Sequence, residues 1–298
     1  MRIIAAGAIV LGVLGQAQAA EPTAASLSRR ALLAVAFPAW HPDLDASGKP
    51  AAAAVTAIAL PTVAWLWKAR DGAAEPTDQK SSSVHIVPLN VIRLDATHAA
   101  MVTWAMSTGD GLEPACDLRQ CSYAIGTYFF VLDGETWRLS GRVDVADALG
   151  GESPPKTRVE SWAGHGFVVG ARMPHCDAGA CADRLSLLGL APDQLQFGFQ
   201  AAVSYMAPGS GDLLCEALLD PAFKPKPDVD YSDAACKSAD GNWRIDGDAI
   251  RIDFDETTRA GNADRQLDPV TESSFFVRLA PRDHTLKVIE GKLPDYRL

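Results

Sequence analysis

Six cysteines arranged as three neighbouring pairs constrain this chain more than any other feature. Cys116 and Cys121, and again Cys176 and Cys181, enclose four residues each, while Cys215 and Cys236 stand further apart. An even count favours disulfides in an oxidising compartment. Many pairings are open to six cysteines, and the spacing favours neighbours. A bridge over four residues needs a hairpin or tight loop that brings the two Cα atoms within about 6 Å. His175 beside Cys176 gives the second pair a zinc-like look, because structural zinc sites also use short spacers. Oxidised thiols do not ligate zinc, so the disulfide reading stands ahead. The longest loop gains most from a crosslink, so Cys215–Cys236 is the bridge expected to matter most for stability.

The N-terminus supports an oxidising compartment. Arg2 precedes an apolar or glycine run from Ile3 to Leu14, and Gln16-Ala17-Gln18-Ala19-Ala20 supplies small residues for cleavage. This pattern predicts a secretory signal peptide over residues 1–19, with Ala19 or Ala20 the last residue removed. The run is shorter than the roughly 20 residues needed to span a bilayer. No cysteine follows it to carry a lipid, and Pro61 and Thr62 interrupt the next best apolar stretch, so no stable membrane insertion is expected. The expected location is periplasmic or secreted.

Charge narrows the partners. The chain carries 27 Lys+Arg against 37 Asp+Glu, a net charge of −10. Nucleic-acid affinity rests on counterion release by Lys and Arg, so that class is disfavoured. Hydrophobic residues at 48% are those of a globular protein rather than a disordered one.

The pattern beyond residue 55 is β. Val84 to Leu94, Ala99 to Met106, Tyr123 to Leu132 and Trp137 to Val143 are rich in β-branched and aromatic residues between turn clusters. Asp133-Gly134 and Asp246-Gly247 each sit between two such runs, a strong hairpin signal. Ile250, Ile252 and Phe254 alternate with Arg251, Asp253 and Asp255, giving one buried and one wet face. Phe275 to Leu279 and Thr285 to Ile289 read as a final hairpin. Leu185 to Leu190 and Leu195 to Tyr205 read equally as strand or helix. One short helix is expected over Ser26 to Phe37, ended by Pro38. The expected fold is mainly β: an antiparallel sandwich or paired β-subdomains of hairpins, with about a dozen strands, one or two short helices and disulfide staples. The expected divisions are 1–19 leader, 20–55 helical and turn segment, 56–212 β-rich region with two Cys-closed hairpins, and 213–298 C-terminal hairpins after a disulfide-closed loop.

One internal echo stands out. Pro114-Ala115-Cys116-Asp117 with Cys121 matches Pro174-His175-Cys176-Asp177 with Cys181, and each lies between apolar β-like runs. It reads as two equivalent hairpin tips. Pro and Asp are also ordinary turn residues, so convergent turn chemistry gives the same spelling.

Catalytic patterns are sparse. There is no GxSxG elbow, and Ser153-Pro154-Pro155-Lys156 spells SxxK with prolines that oppose the helix that motif needs. The six histidines show neither HExxH nor HxH spacing. His165 in Gly164-His165-Gly166 is the most suggestive, because glycines let a backbone approach a ligand closely; a turn feeding a strand is the commoner use. Asp43 to Gly48 opens like a calcium loop but has Ala54 where the bidentate Glu belongs, and Asp228, Asp230, Ser232 and Asp233 form at most half a site. Weak calcium binding is the only cofactor these patterns allow. With 37 acids, a catalytic carboxylate pair can be hidden in the fold. Trp65 and Trp67 would share a face of a strand and offer a stacking platform, although core is the usual place for Trp.

The leading expectation is an exported, non-catalytic binding protein that captures and neutralises another protein, cationic in character, as an immunity or inhibitor protein does. Asp117, Asp177, His165 and His175 are the candidate contacts. The alternative is a secreted hydrolase acting on envelope polysaccharide or peptide through Asp/Glu chemistry.

Overall fold

The computed structural model describes residues 21–38, 56–59, 81–107, 122–150, 155–177, 180–207 and 214–294. The chain opens with a two-residue strand β1 (Thr23–Ala24), helix α1 (Arg29–Ala36) and a short β2 (Thr56–Ala59). Long strands follow: β3 (Ser81–Arg93), β4 (His98–Ser107), β5 (Ser122–Asp133), β6 (Thr136–Gly150), β7 (Lys156–Trp162), β8 (Gly166–Asp177), β9 (Ala180–Ala191) and β10 (Gln194–Met206). Helix α2 (Cys215–Leu219) then leads to β11 (Ala235–Asp246), β12 (Ala249–Ala260), β13 (Thr271–Arg282) and β14 (Thr285–Glu290). The fold is mainly β, antiparallel and disulfide-stapled.

The expected short helix forms, with Ser28 as N-cap accepting the Ala31 N–H at 3.3 Å. Leu32, Leu33, Val35 and Ala36 make one buried stripe, which α1 lays on the first sheet. That sheet has the order β1-β6-β5-β4-β3-β2. Its strands are apolar on both faces. Ala99, Met101 and Ala105 of β4 pack with the helix, while Ala100, Val102 and Trp104 pack against the second sheet.

The second sheet has the order β11-β12-β13-β14-β10-β9-β8-β7. Its β9 is the leucine-rich segment that reads both ways in sequence. Leu188 and Leu190 face the first sheet, and Leu185 and Leu187 face a core built with Trp162, Phe197, Ile250, Ile252 and Phe254. A strand buried on both faces has a continuous apolar run instead of alternation, so periodicity could not identify it. Gly189 lets the Phe197 ring lie on β9: a Cβ there would come within 2.2 Å of the ring.

This second sheet closes on itself. One edge of β10 pairs with β9; the other meets β14 at Gly198↔Thr285 and β11 from Ser204 to Met206, after a bulge between Ala202 and Ser204. Strands β10 to β14 therefore form a ring. Where β11 leaves β10, the side chains of β7 take over its backbone. Arg158 donates to the Trp243 carbonyl, Glu160 accepts the Ile245 N–H at 3.3 Å, and the Trp162 indole donates to the Gly247 carbonyl at 2.9 Å. Alternate residues of one strand thus satisfy alternate residues of another, a seam made by side chains.

Six hairpins turn tightly at one end, at residues 94–97, 134–135, 163–165, 192–193, 247–248 and 283–284, while the β8–β9 hairpin closes at the other, beyond the Asp177↔Ala180 pair. The connections at the opposite end include the longer ones, around 207–234 and 261–270. There the Cys215–Cys236 disulfide, with a Cα–Cα distance of 5.2 Å, ties α2 to β11 over a small cluster of Leu218, Leu219, Tyr231 and Ala234. Among the described residues, no helix is long and apolar enough to cross a membrane.

Candidate functional site

Among the described residues, those singled out in the sequence do not come together. Cys116, Asp117 and Cys121 lie outside the described residues, as do Asp43 to Gly48, Trp65, Trp67 and Ser153. Cys176 stands directly across the β8–β9 ladder from Cys181, which is disulfide-bonded, so this echo is a hairpin tip. Asp177 pairs in register with Ala180, and His175 with Ala182. His165 is at the far end of β8, about 30 Å from that tip at ~3.3 Å per residue. Its N–H donates to the Trp162 carbonyl at 2.9 Å and its ring lies 4.4 Å from the Trp162 indole, so it belongs to the β7–β8 turn. Of the calcium-like residues, Asp230 accepts the Ser232 N–H at 2.9 Å and pairs with Arg265 at 3.2 Å, which is turn chemistry.

Exposed acids lie at both ends of the molecule: at the end opposite the tight turns they include Glu216, Asp220, Asp228, Asp233 and Asp264, and at the tight-turn end they follow the hairpins. Asp95, Asp133, Asp193, Asp246, Asp248 and Asp283 sit in or beside successive turns. Turn geometry selects Asp at several of these places, since it tolerates positive φ and bonds its own backbone; Asp193 and Asp283 have φ of 66° and 51°. Asp133 and Asp248 have side chains 72% and 90% exposed, more than Asp95, Asp193 or Asp246.

At this end a polar chain links the two sheets. The His98 ring places Nδ1 at 2.9 Å from Asp95 and Nε2 at 3.4 Å from Asp193, and the Ser140 hydroxyl donates to Asp193 at 2.9 Å. The serine bonds a carboxylate and not the imidazole, so this arrangement joins layers without activating a nucleophile. Asp95 accepts the backbone N–H groups of Thr97 and His98 at 2.7 and 2.8 Å. The Thr97 N–H, helped by His98, holds the Asp95 carboxyl at about 2. A carboxylate with a lowered folded pKa adds stability above its unfolded value, and that stability disappears as pH falls toward the folded one. Asp95→Asn is therefore expected to be less stable than wild type at pH 6, with the difference closing between pH 4 and pH 2. Urea midpoints across that range check this; a gap that persists at pH 2 contradicts it.

Elsewhere carboxylates converge on guanidinium groups. Arg172 of β8 holds Asp183 at 2.6 Å and also bonds Asp240 of β11. Asp253 bridges Arg251 at 2.6 Å and Arg244 at 2.5 Å, and Arg278 lies 3.5 Å from both Asp246 and Glu290. Arg244, Arg251 and Arg278 stand side by side across three strands. Like charges directly opposite destabilise a sheet, and these acids offset that. Under α1, the Tyr128 hydroxyl donates to Asp144 at 2.8 Å, and Arg142 bonds the same carboxylate at 2.7 Å while lying over the Phe37 and Tyr128 rings. Burial, reinforced by Asp144, pushes the Tyr128 hydroxyl far above its ordinary range. These acids serve as ion-pair partners across strands.

Two concavities complete the surface. An open groove of about 460 Å³ lies beside the Cys215–Cys236 bridge, with Tyr205, Lys237, Arg259 and Asp268 on its walls. A smaller cavity of about 150 Å³ lies at the β7–β11 seam. Nothing in the local sequence links His98, Asp193 and Arg172 as a set. The one local signal was Asp95-Ala96-Thr97-His98, an Asp whose side chain caps the following turn.

Comparison with protein-family models, with curated proteins and with solved structures finds no match for this chain.

Proposed function

We propose that this chain is an exported, non-catalytic binding protein that captures another protein, of immunity or inhibitor type, and that the tight-turn end is its contact surface. The observation that carries the reading is the row of carboxylates on successive short turns, held on hairpins whose cores are packed on both faces. Short turns on a packed scaffold lose little entropy on binding, so a rigid display favours affinity. A net charge of −10 and the exposed acids on these turns favour a cationic partner by electrostatic steering. The leader expected over residues 1–19 and the disulfides accord with an exported protein.

The test is affinity capture from the native envelope fraction with the mature protein and a charge-reversed Asp133→Lys/Asp248→Lys variant. One stoichiometric basic protein is expected on the wild type. It should be released as salt rises and held at least about tenfold more weakly by the variant, each tenfold being about 1.4 kcal/mol. Absence of a partner at low salt overturns the reading. Release of fragments from envelope polysaccharide or peptide by the purified protein would replace it with the hydrolase alternative.

A further inference from the structure

We infer that the cavity at the β7–β11 seam binds a carboxylate carried on a short apolar body. In a chain with 37 acids and 27 bases, Lys156, Arg158 and Arg172 line this cavity, and no carboxylate does among the described residues. Lys156 and Arg172 face each other directly across the β7–β8 ladder, and Arg158 is two residues along on the same face. Asp183 and Asp240 already offset Arg172, so the unbalanced charge on this face is that of Lys156, beside the half-engaged Arg158.

The three cations differ in what they have left to give. Arg172 is occupied: Asp183, Asp240 and the Gly241 carbonyl take its fork and balance its charge, which leaves Lys156 and Arg158 as the cations that can meet an anion. Arg158 is positioned yet unsaturated. Its Nε lies 3.1 Å from Glu160, a second nitrogen bonds the Trp243 carbonyl, and its plane lies 4.1 Å above the Trp243 ring. Stacking and the Glu160 pair fix the guanidinium, and Nη1 has no partner among the described residues. A fixed guanidinium with an open edge suits carboxylate, because little rotamer entropy remains to be lost. Lys156 is exposed and likewise has no partner among the described residues.

The remaining walls set the rest of the ligand. Leu185, Val203 and the Trp243 ring are apolar and receive a short aliphatic body. The volume of about 150 Å³, below that of pockets for drug-sized ligands, favours a body of a few carbons. Such a group is either a free branched-chain acid or the C-terminal residue of a peptide.

The experiment uses the whole mature protein and ¹H–¹⁵N NMR. Isovalerate, its neutral isostere isovaleramide, the peptide Gly-Gly-Val and that peptide's C-terminal amide are titrated separately, with sodium chloride as the ionic control. Saturable shifts at Gly170, Asn242 and the Trp243 indole are expected with at least one carboxylate. Both amides should bind at least about tenfold more weakly. Tighter binding of isovalerate identifies a free acid as the source, and tighter binding of the peptide identifies a chain terminus. Lys156→Gln removes an exposed side chain without a folding role and is expected to weaken binding severalfold. Arg158→Gln should weaken it tenfold or more, with the spectrum itself reporting whether the seam stays closed. Amides that bind as well as the acids, shifts matched by chloride, or no saturation by about 20 mM would overturn the assignment.

Discussion

Trp162→Ala is expected to lower the free energy of unfolding by about 3–5 kcal/mol, the range for truncating a large buried aromatic. The side chain is 1% exposed, meets Phe197 edge-on at 6.0 Å, and packs in the core that β7, β8 and β9 share with β11 to β14. Removing it leaves a cavity that the neighbouring strands can fill only in part, because β9 is also committed to the first sheet through Leu188 and Leu190. It also takes the donor from the Gly247 carbonyl. Trp162→Phe separates the two effects: it keeps much of the volume and loses the hydrogen bond, and its expected cost is about 1–3 kcal/mol. Urea unfolding followed by far-UV circular dichroism measures both. An alanine variant within 1 kcal/mol of wild type would mean that the seam contributes little to closing the barrel.

The second large effect belongs to the Cys215–Cys236 bridge, which spans 21 positions. Crosslinking a loop of that length restricts the unfolded chain by about 3 kcal/mol. The loop contains Pro221, Pro225 and Pro227 with Lys224 and Lys226, residues that contribute little apolar burial, and its small cluster is bordered by the bridge itself. The Cys215→Ser/Cys236→Ser variant should therefore unfold at lower urea by that margin while keeping the barrel intact. Limited proteolysis should cut between Asp220 and Asp233 in the variant before it cuts any strand. Equal protease resistance in both proteins would show that Tyr231 and Leu218 hold the loop without the bond.

The hairpins were readable wherever one face is wet. Ile250, Ile252 and Phe254 alternate, and β12 is where they predict a strand; Asp133-Gly134 and Asp246-Gly247 turn where they should. The final hairpin is likewise legible, with its turn at Asp283 and His284. Strands at the centre of the stack were harder, since burial on both sides erases alternation. The edge strand β7 escaped for another reason: Lys156-Thr157-Arg158-Val159-Glu160 looks like solvent-facing loop. Its charged side chains work as substitutes for a neighbouring strand, a role that local sequence does not encode. The site was less legible than the fold. His98 meets Asp193 only because two sheets stack, and Arg172 meets Asp240 only because the second sheet curls back. His165 and His175, grouped in sequence as candidate contacts, end up at opposite ends of one strand.

Pairing between sequence neighbours also bears on how the chain acquires its shape. From β3 to β6 and from β7 to β10, each strand pairs with the one made just before it, so most of the backbone ladder assembles from short-range contacts. Two pairings are of another kind: β1 with β6, and Gly198 with Thr285, which lies 87 residues further on. Until the chain reaches Thr285, β10 has one edge without its β14 partner, and an unpaired edge is a template for other chains. The last hairpin to emerge is thus the one that shuts the barrel, and the interval before it does is when self-association competes with folding.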